Sequence, residues 1–122
     1  MAMKKILILD DEDNLRALYK QILVEQGYSV VTASEGTQAL KILSKQPCDL
    51  AIVDVKLGNE NGLEYMRQMM TMRQGMKVII NTAYSTFKQD FQAWSADAYL
   101  MKSSDSKELL ATVNRLLQAG KA

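Results

Sequence analysis

Residues 4–13 of the chain read KKILILDDED, a short aliphatic run that leads into four consecutive acidic residues. The run from Lys5 to Leu9 has the length and apolar composition of a strand that is buried on both faces. Strands of this kind occur in parallel sheets, and ligands bind such sheets beyond the carboxyl ends of the strands. The acidic residues that follow Leu9, beginning with Asp10 and Asp11, are therefore expected to face a ligand site.

Four further apolar runs along the chain predict four further strands. They are Ser29–Ala33, Leu50–Val53, residues 78–80 and Ala98–Met101. The segments between the runs have the spacing of amphipathic helices, as in Leu15, Leu18 and Ile22 of the first segment and Phe87, Phe91 and Trp94 of the fourth. This alternation predicts one three-layer α/β domain over residues 1–122, a doubly wound (βα)5 unit with five parallel strands and helices on both faces.

Two glycines mark the expected ends of helices. Gly27 follows the first helical segment and Gly75 follows the third. A residue in the left-handed conformation commonly terminates a helix, and glycine adopts that conformation at little cost. We therefore expect a positive φ at both positions.

Length and composition limit the classes of protein that the chain can be. It has 122 residues, 48% hydrophobic and 24% charged, with a net charge of +1, which argues against disorder and against a basic nucleic-acid surface. No apolar run approaches the roughly 20 residues of a membrane span, so we expect a cytoplasmic protein with no direct nucleic-acid or membrane partner. The chain has no histidine, so any phosphohistidine that reacts with it belongs to another molecule.

A further carboxylate, Asp54, follows the third apolar run and precedes a glycine-bearing loop. The first and third strands border the switch point of a doubly wound sheet, so Asp10 and Asp54 should meet there. Two or three carboxylates with a main-chain carbonyl are ligands that suit Mg²⁺. Alternatively, Asp11, Glu12 and Asp13 cap the first helix and interact with its positive end. The pattern leaves both interpretations open for this triplet.

Asp54 also has the position of a phosphoryl acceptor. A carboxylate can accept a phosphoryl group when a cation and a lysine neutralise the phosphoryl oxygens. Thr82 and Lys102 close later strands and could supply a hydroxyl and an ammonium group. Each of them alone is well explained as a β-forming residue or a solvated charge. Their joint position at the carboxyl ends of successive strands favours a site shared with Asp54.

Five short motifs occur along the chain: ILDDE at 8–12, IVD at 52–54, NG at 61–62, INTA at 80–83 and AYLMK at 98–102. Through them, over residues 4–117, the chain resembles the receiver domain of two-component response regulators. The resemblance implies the flavodoxin-like strand order 2-1-3-4-5 and a role in phosphorelay signal transduction. A histidine kinase or histidine phosphotransfer protein would donate the phosphoryl group, and a downstream protein or an attached effector domain would receive the signal. The only reactions of the chain would be its own phosphorylation and dephosphorylation.

The resemblance also assigns roles to the acidic residues. Asp54 would be the phosphoacceptor. Asp10, Asp11 and Asp54 would bind Mg²⁺ or Mn²⁺ together with the main-chain carbonyl of Lys56. These assignments extend the metal site expected from the strand ends to a full set of protein ligands.

A second group of residues would sense the phosphoryl group. By the same resemblance, Thr82 and Lys102 contact it, and the ring of Tyr99 swings inward when Thr82 is drawn toward the phosphate. The surface that changes would comprise the fourth predicted helix, the fifth strand and the fifth predicted helix. The expected output is therefore conformational.

Two alternatives stay open, and the first of them arises from a departure from the family pattern. Lys102 is followed by Ser103, where the family usually has a proline in a cis peptide, so we expect Lys102 to be positioned differently. The chain could then be a receiver-like interaction module that has lost phosphorylation. It could also be a magnesium-dependent phosphatase of the haloacid-dehalogenase type, since Asp11 and Asp13 have the required spacing, although Leu15 stands where a hydroxyl residue is expected.

Overall fold

The computed structural model describes residues 3–54, 56–57, 60–83, 96–102 and 106–118. Within these ranges the main sheet has five strands: β1 Lys5–Leu9, β2 Ser29–Ala33, β3 Leu50–Val53, β4 Lys77–Thr82 and β5 Ala98–Met101. The helices in the same ranges are α1 Asp13–Glu25, α2 Gly36–Lys45, α3 Gly62–Met72 and α4 Lys107–Gln118. None of these helices is both long enough and apolar enough to cross a membrane. The helical segment predicted around Phe87, Phe91 and Trp94 lies outside the described residues.

All five strands of the main sheet are parallel, in the order β2-β1-β3-β4-β5. This confirms the predicted doubly wound sheet and its strand order. Four strands have the predicted bounds, whereas β4 is longer than residues 78–80. It is longer by one residue at its start, where Lys77 pairs with Leu50, and by two at its end, where Asn81 pairs with Leu100 and Thr82 pairs with Met101.

Alternation along the strands divides the core between the two faces of the sheet. Leu7 and Leu9 of β1 point to the face covered by α2 and α3, whereas Ile6 and Ile8 point to the face covered by α1 and α4. Every one of these four side chains is fully buried. The four consecutive apolar residues of this strand therefore contribute to both cores at once, as parallel strands between helical layers do.

The buried face of α1 differs from its simplest sequence pattern. Tyr19 and Leu23 are the buried residues of this helix, and Leu18 is 43% exposed. Helical spacing predicts that a helix forms, but several overlapping i, i+4 series run through this segment. Packing against the sheet selects the series that contains the larger Tyr19 ring.

The two glycines expected to end helices behave differently. Gly27 has a φ of 96° directly after the C-cap of α1, which confirms the left-handed cap. Gly75 has no left-handed φ, so that prediction is wrong. Helix α3 ends at Met72, and the Met76 N–H then donates to the Arg73 carbonyl across a tight turn (3.1 Å). An ordinary turn of this kind needs no residue with positive φ.

Candidate functional site

The carboxylates Asp10 and Asp54 are held at one edge of the sheet by the ladder itself. The Asp10 N–H donates to the Ala33 carbonyl (3.1 Å), and the Asp54 N–H donates to the Leu9 carbonyl (2.9 Å). Because β1 and β3 are neighbours, the two side chains emerge side by side. They are only 3% and 5% exposed. Two buried carboxylates in adjacent positions require positive charge nearby.

Lys102 supplies that positive charge from the far side of β4. The main-chain N–H of Lys102 donates to the Thr82 carbonyl (2.7 Å), and this hydrogen bond fixes the backbone at the end of β5. The Lys102 Nζ lies 2.8 Å from Asp54 Oδ2 and 3.1 Å from Asp10 Oδ2. A third carboxylate, Glu12, lies 2.9 Å from the same nitrogen through Oε1. The structure thus brings the predicted residues Asp10, Asp54 and Lys102 together.

Burial and pairing oppose each other in this cluster. Burial alone would lower the pKa of Lys102, but hydrogen bonds to the three carboxylates outweigh it and raise that pKa, so the ammonium form persists. Burial raises the pKa of Asp10. The Glu12 N–H, which donates to Asp10 Oδ1 (2.9 Å), and the Lys102 ammonium offset that rise only in part. The ionised form of Asp10 is therefore less stable at this position than in water.

The same oxygens fit a divalent cation. Carboxylate oxygens of Asp10, Glu12 and Asp54 all lie within 4.8 Å of one another. Hard cations prefer such oxygen ligands, and the Lys102 ammonium already shows that positive charge is stabilised at this place. Asp11 is exposed and is not in this group, and Lys56 opens a two-residue strand that pairs with Glu60–Asn61. The ligand roles of Asp11 and of the Lys56 carbonyl stay predictions.

Thr82 and Tyr99 lie on neighbouring strands beside this cluster. Thr82 is fully buried at the end of β4. Tyr99 is half-buried and lies opposite Ile80, two residues before Thr82, and its hydroxyl donates to the sulfur of Met101 (3.5 Å). The two predicted switch residues therefore lie on adjacent strands, and their movement stays a prediction.

The acidic triplet 11–13 lies at the start of α1, with Glu12 as the N-cap residue and Asp13 in the first turn, as the capping interpretation predicts. Glu12 is the N-cap residue of α1, yet its side chain makes no capping hydrogen bond and instead meets Lys102. Asp13 pairs with Arg16 (2.6 Å), whose guanidinium also donates to the Asp10 carbonyl (2.8 Å). The capping interpretation is therefore wrong for Glu12, because a cation 90 residues away competes for its carboxylate.

The side-chain contacts of two residues at or near the site, Glu12 and Asn81, are not predicted by the sequence. The sequence predicts Glu12 as a residue of the helix cap, and its spacing of two residues from Asp10 is the one sequence signal that links it to the site. Asn81 is a buried amide inside β4, and its nitrogen donates to the Tyr19 hydroxyl of α1 (3.2 Å). A polar residue directly after an aliphatic run signals such a partner, but the identity of that partner depends on the packing of α1.

We expect Asp10→Asn to raise the free energy of unfolding of the metal-free protein by about 1 kcal/mol at neutral pH, because a desolvated carboxylate is removed. Since the pKa of Asp10 is raised, the native state gains a proton before the unfolded chain does. Wild-type stability should therefore rise relative to the variant as pH falls toward the unfolded value of 3.8. Urea unfolding in EDTA measures both effects. A variant less stable than the wild type, or stability–pH profiles that run parallel for the two proteins, would contradict this prediction. Asp13→Asn, which changes an exposed carboxylate, is the control.

Sequence comparison places this site in a family context. The family model described as "Response regulator receiver domain" matches residues 6–114. The alginate biosynthesis transcriptional regulatory protein AlgB of Pseudomonas putida is 39% identical over 92% of this chain and 26% of its own length. Sporulation initiation phosphotransferase F of Bacillus subtilis is 32% identical over 96% of both chains. The chain thus spans about a quarter of the AlgB proteins, and nearly all of the sporulation protein.

Solved structures agree with the sequence matches. The response regulator TrrA of Thermotoga maritima in complex with Mg²⁺-BeF is 39% identical, with a TM-score of 0.86 over 93% of this chain and 99% of TrrA. A CheY-like receiver domain protein of Methanospirillum hungatei is 32% identical, with a TM-score of 0.90 over 97% and 96% of the two chains. TrrA in complex with the histidine kinase ThkA gives 40% and 0.84, over 94% and 99%. The chain belongs to the response regulator receiver domains.

Proposed function

We propose that this receiver domain, residues 1–122, is a phosphorylation-dependent switch with Asp54 as its phosphoacceptor. One observation carries the proposal: the buried Asp54 carboxylate lies 2.8 Å from the Lys102 ammonium and next to Asp10 at the carboxyl edge of the sheet. A nucleophile, a cation that can neutralise phosphoryl oxygens and a further carboxylate are thus in one place.

In the proposed reaction, a carboxylate oxygen of Asp54 attacks the phosphorus of a phosphohistidine on a donor protein. The P–N bond breaks, its electron pair returns to the imidazole nitrogen, and an acyl phosphate forms on Asp54. Lys102 exchanges its contact with the carboxylate for a contact with a phosphoryl oxygen. In dephosphorylation a water oxygen attacks phosphorus and the P–O bond to Asp54 breaks; its electron pair returns to the carboxylate, inorganic phosphate leaves and a proton of the water passes to solvent. No other catalysis is proposed for the chain.

A divalent cation would complete the site, with Mg²⁺ as the first choice and Mn²⁺ as an alternative with similar oxygen ligands. The proposed ligands are Asp10, Asp11, Asp54 and the main-chain carbonyl of Lys56. When bound, the cation would neutralise charge on the phosphoryl oxygens. The carboxylate cluster and the Mg²⁺-BeF complex of TrrA support this proposal.

The proposed output is a changed surface around β5 and α4, together with the fourth predicted helix. The Thr82 hydroxyl would turn toward the phosphoryl group, and the Tyr99 ring would fill the space that Thr82 leaves. Conversion from about 1:99 to 99:1 needs near 5.5 kcal/mol of differential stabilisation. Two or three charge-assisted hydrogen bonds, at roughly 1.5–3 kcal/mol each, contribute about 3–9 kcal/mol, a range that includes this value.

The proposed partners follow from the chemistry. A histidine kinase or a histidine phosphotransfer protein would donate the phosphoryl group, which the complex of TrrA with the kinase ThkA supports. The signal would pass to a separate protein or to an effector domain on the same polypeptide, since the AlgB relatives are about four times as long as the matched region. We propose a cytoplasmic location, with no direct nucleic-acid or membrane partner.

The proposal is tested by treating the chain with Mg²⁺ and a small acyl phosphate and measuring its intact mass. We expect one added phosphoryl group per chain, lost in hydroxylamine, mapped to the peptide that contains Asp54, and absent in EDTA. Steady release of phosphate from esters without a labelled protein would instead identify a phosphatase. Neither label nor turnover, with this donor and with a phosphohistidine protein, would identify an interaction module and overturn the proposal.

A further inference from the structure

Glu12 differs from the other carboxylates around Lys102. The Lys102 side chain is 8% exposed, and two of its partners, Asp10 and Asp54, are as deeply buried as it is. The third partner, Glu12, is 57% exposed and approaches from the solvent side (2.9 Å). The ammonium therefore lies between a buried pair of carboxylates and a single carboxylate at the rim.

This arrangement matters when a dication binds to Asp10 and Asp54. In its present position the Lys102 ammonium lies 3.1 Å or less from both carboxylates, where a dication would repel it strongly. The ammonium must therefore leave the pair as the metal enters. It must nevertheless stay close, because the proposed phosphoryl transfer needs it again.

We propose that Glu12 is a positioning residue for Lys102: its carboxylate keeps the ammonium at the rim when a dication occupies Asp10 and Asp54. This inference rests on the proposed function. The Glu12 N–H is bonded to Asp10 Oδ1 (2.9 Å), which ties the Glu12 backbone to the metal-binding carboxylate. Because the Glu12 side chain makes no capping hydrogen bond in α1, its carboxylate serves Lys102 without loss to the helix.

The proposal predicts energetic coupling between the two side chains during metal binding. With Glu12 present, the ammonium released from the pair keeps one carboxylate partner. In Glu12→Gln the ammonium loses the charged partner at the rim, so its displacement from Asp10 and Asp54 by Mg²⁺ costs more free energy. In Lys102→Met no ammonium needs to be displaced, so the same change at Glu12 should matter little.

The test is a double-mutant cycle on Mg²⁺ affinity, measured by calorimetry at constant ionic strength without a phosphoryl donor. We expect Glu12→Gln to weaken Mg²⁺ binding by about tenfold in the wild-type background and by less than about twofold in Lys102→Met. Glu12→Asp should restore part of the affinity. Glu35→Gln removes the same charge from an exposed N-cap at the same edge of the sheet and should have no effect beyond about twofold.

The results separate this inference from the proposed function. Equal weakening in both backgrounds, no weakening in either, or no Mg²⁺ binding by the wild type would overturn the role of Glu12. Urea unfolding of each variant shows whether it is fully folded under the conditions of the Mg²⁺ titration, so that weaker binding is not caused by unfolded protein. Phosphorylation of the wild type is measured alongside, because a protein that shows the coupling but never takes a label would refute the phosphoacceptor while leaving the positioning role intact.

Discussion

Asp54→Asn is expected to lower phosphoryl acceptance by at least about a thousandfold, in line with removal of an essential nucleophile. The amide matches the carboxylate in size but lacks its negative charge and nucleophilicity. It also removes the charge that lies 2.8 Å from the Lys102 ammonium. The measurement is the rate of label incorporation from an acyl phosphate and from a phosphohistidine protein, at saturating Mg²⁺.

Asp97→Asn is the matched control for this change. Asp97 accepts a hydrogen bond from the Val78 N–H (2.8 Å) just before β5, at the opposite edge of the sheet from Asp54. An asparagine oxygen can keep that bond, so labelling should stay within about twofold of the wild type. Label at near the wild-type rate in Asp54→Asn would contradict the assignment, and peptide mapping would show whether Asp10 had accepted the group instead.

Gly36→Ala is expected to destabilise the protein by about 2–3 kcal/mol, the upper range for overpacking a well-filled site. A Cβ at this position would lie 2.2 Å from Cγ and Cδ2 of the Tyr65 ring. Gly36 begins α2 and Tyr65 lies on α3, so the contact joins the two helices on one face of the sheet. Because Cγ is close to the backbone, the ring cannot escape without moving α3. Urea unfolding with a constant m-value measures the loss.

A second-site change and a matched glycine sharpen this prediction. In a Tyr65→Ala background the ring is gone, and Gly36→Ala should become nearly neutral or slightly stabilising. Gly75→Ala is the control, since a Cβ there meets nothing within 4 Å and the backbone has no left-handed φ. It should stabilise by about 0.4–1 kcal/mol through the unfolded state. Gly36→Ala with the same sign and size as Gly75→Ala would refute the steric argument.

Most of the architecture could be predicted because its information is local. The run from Ile6 to Leu9 is apolar at every position, and a strand between two helical layers buries such a run completely. The register with β3 then places Asp10 beside Asp54 without further information. The wrong predictions concern the ends of elements. Strand β4 continues through Asn81 and Thr82 because of its partner strand, and Gly75 lies in a turn instead of a helix cap.

The same distinction between local and long-range information applies to the residues of the site. Topology brings Asp10, Asp54 and Lys102 to one edge, because the carboxyl ends of parallel strands meet there. The partner of Glu12 depends on an ammonium that is adjacent in space and 90 residues distant along the chain. Nothing in the neighbourhood of Glu12 encodes that contact, so local chemistry pointed to a helix cap.

Apolar periodicity therefore specified the strands and the edge of the sheet at which the site lies, since a strand is recognised from side chains that are close in sequence. The strand order was expected only from the resemblance to receiver domains, and the pairing of distant strands confirms it. Long-range packing specified the direction of individual polar side chains: Glu12 toward Lys102, Asn81 toward Tyr19, and the Tyr65 ring over Gly36. The physical reason is that a hydrogen bond or ion pair forms only when the distance between two atoms of distant segments is correct to within a few tenths of an ångström. Burial depends only on which face of an element is apolar.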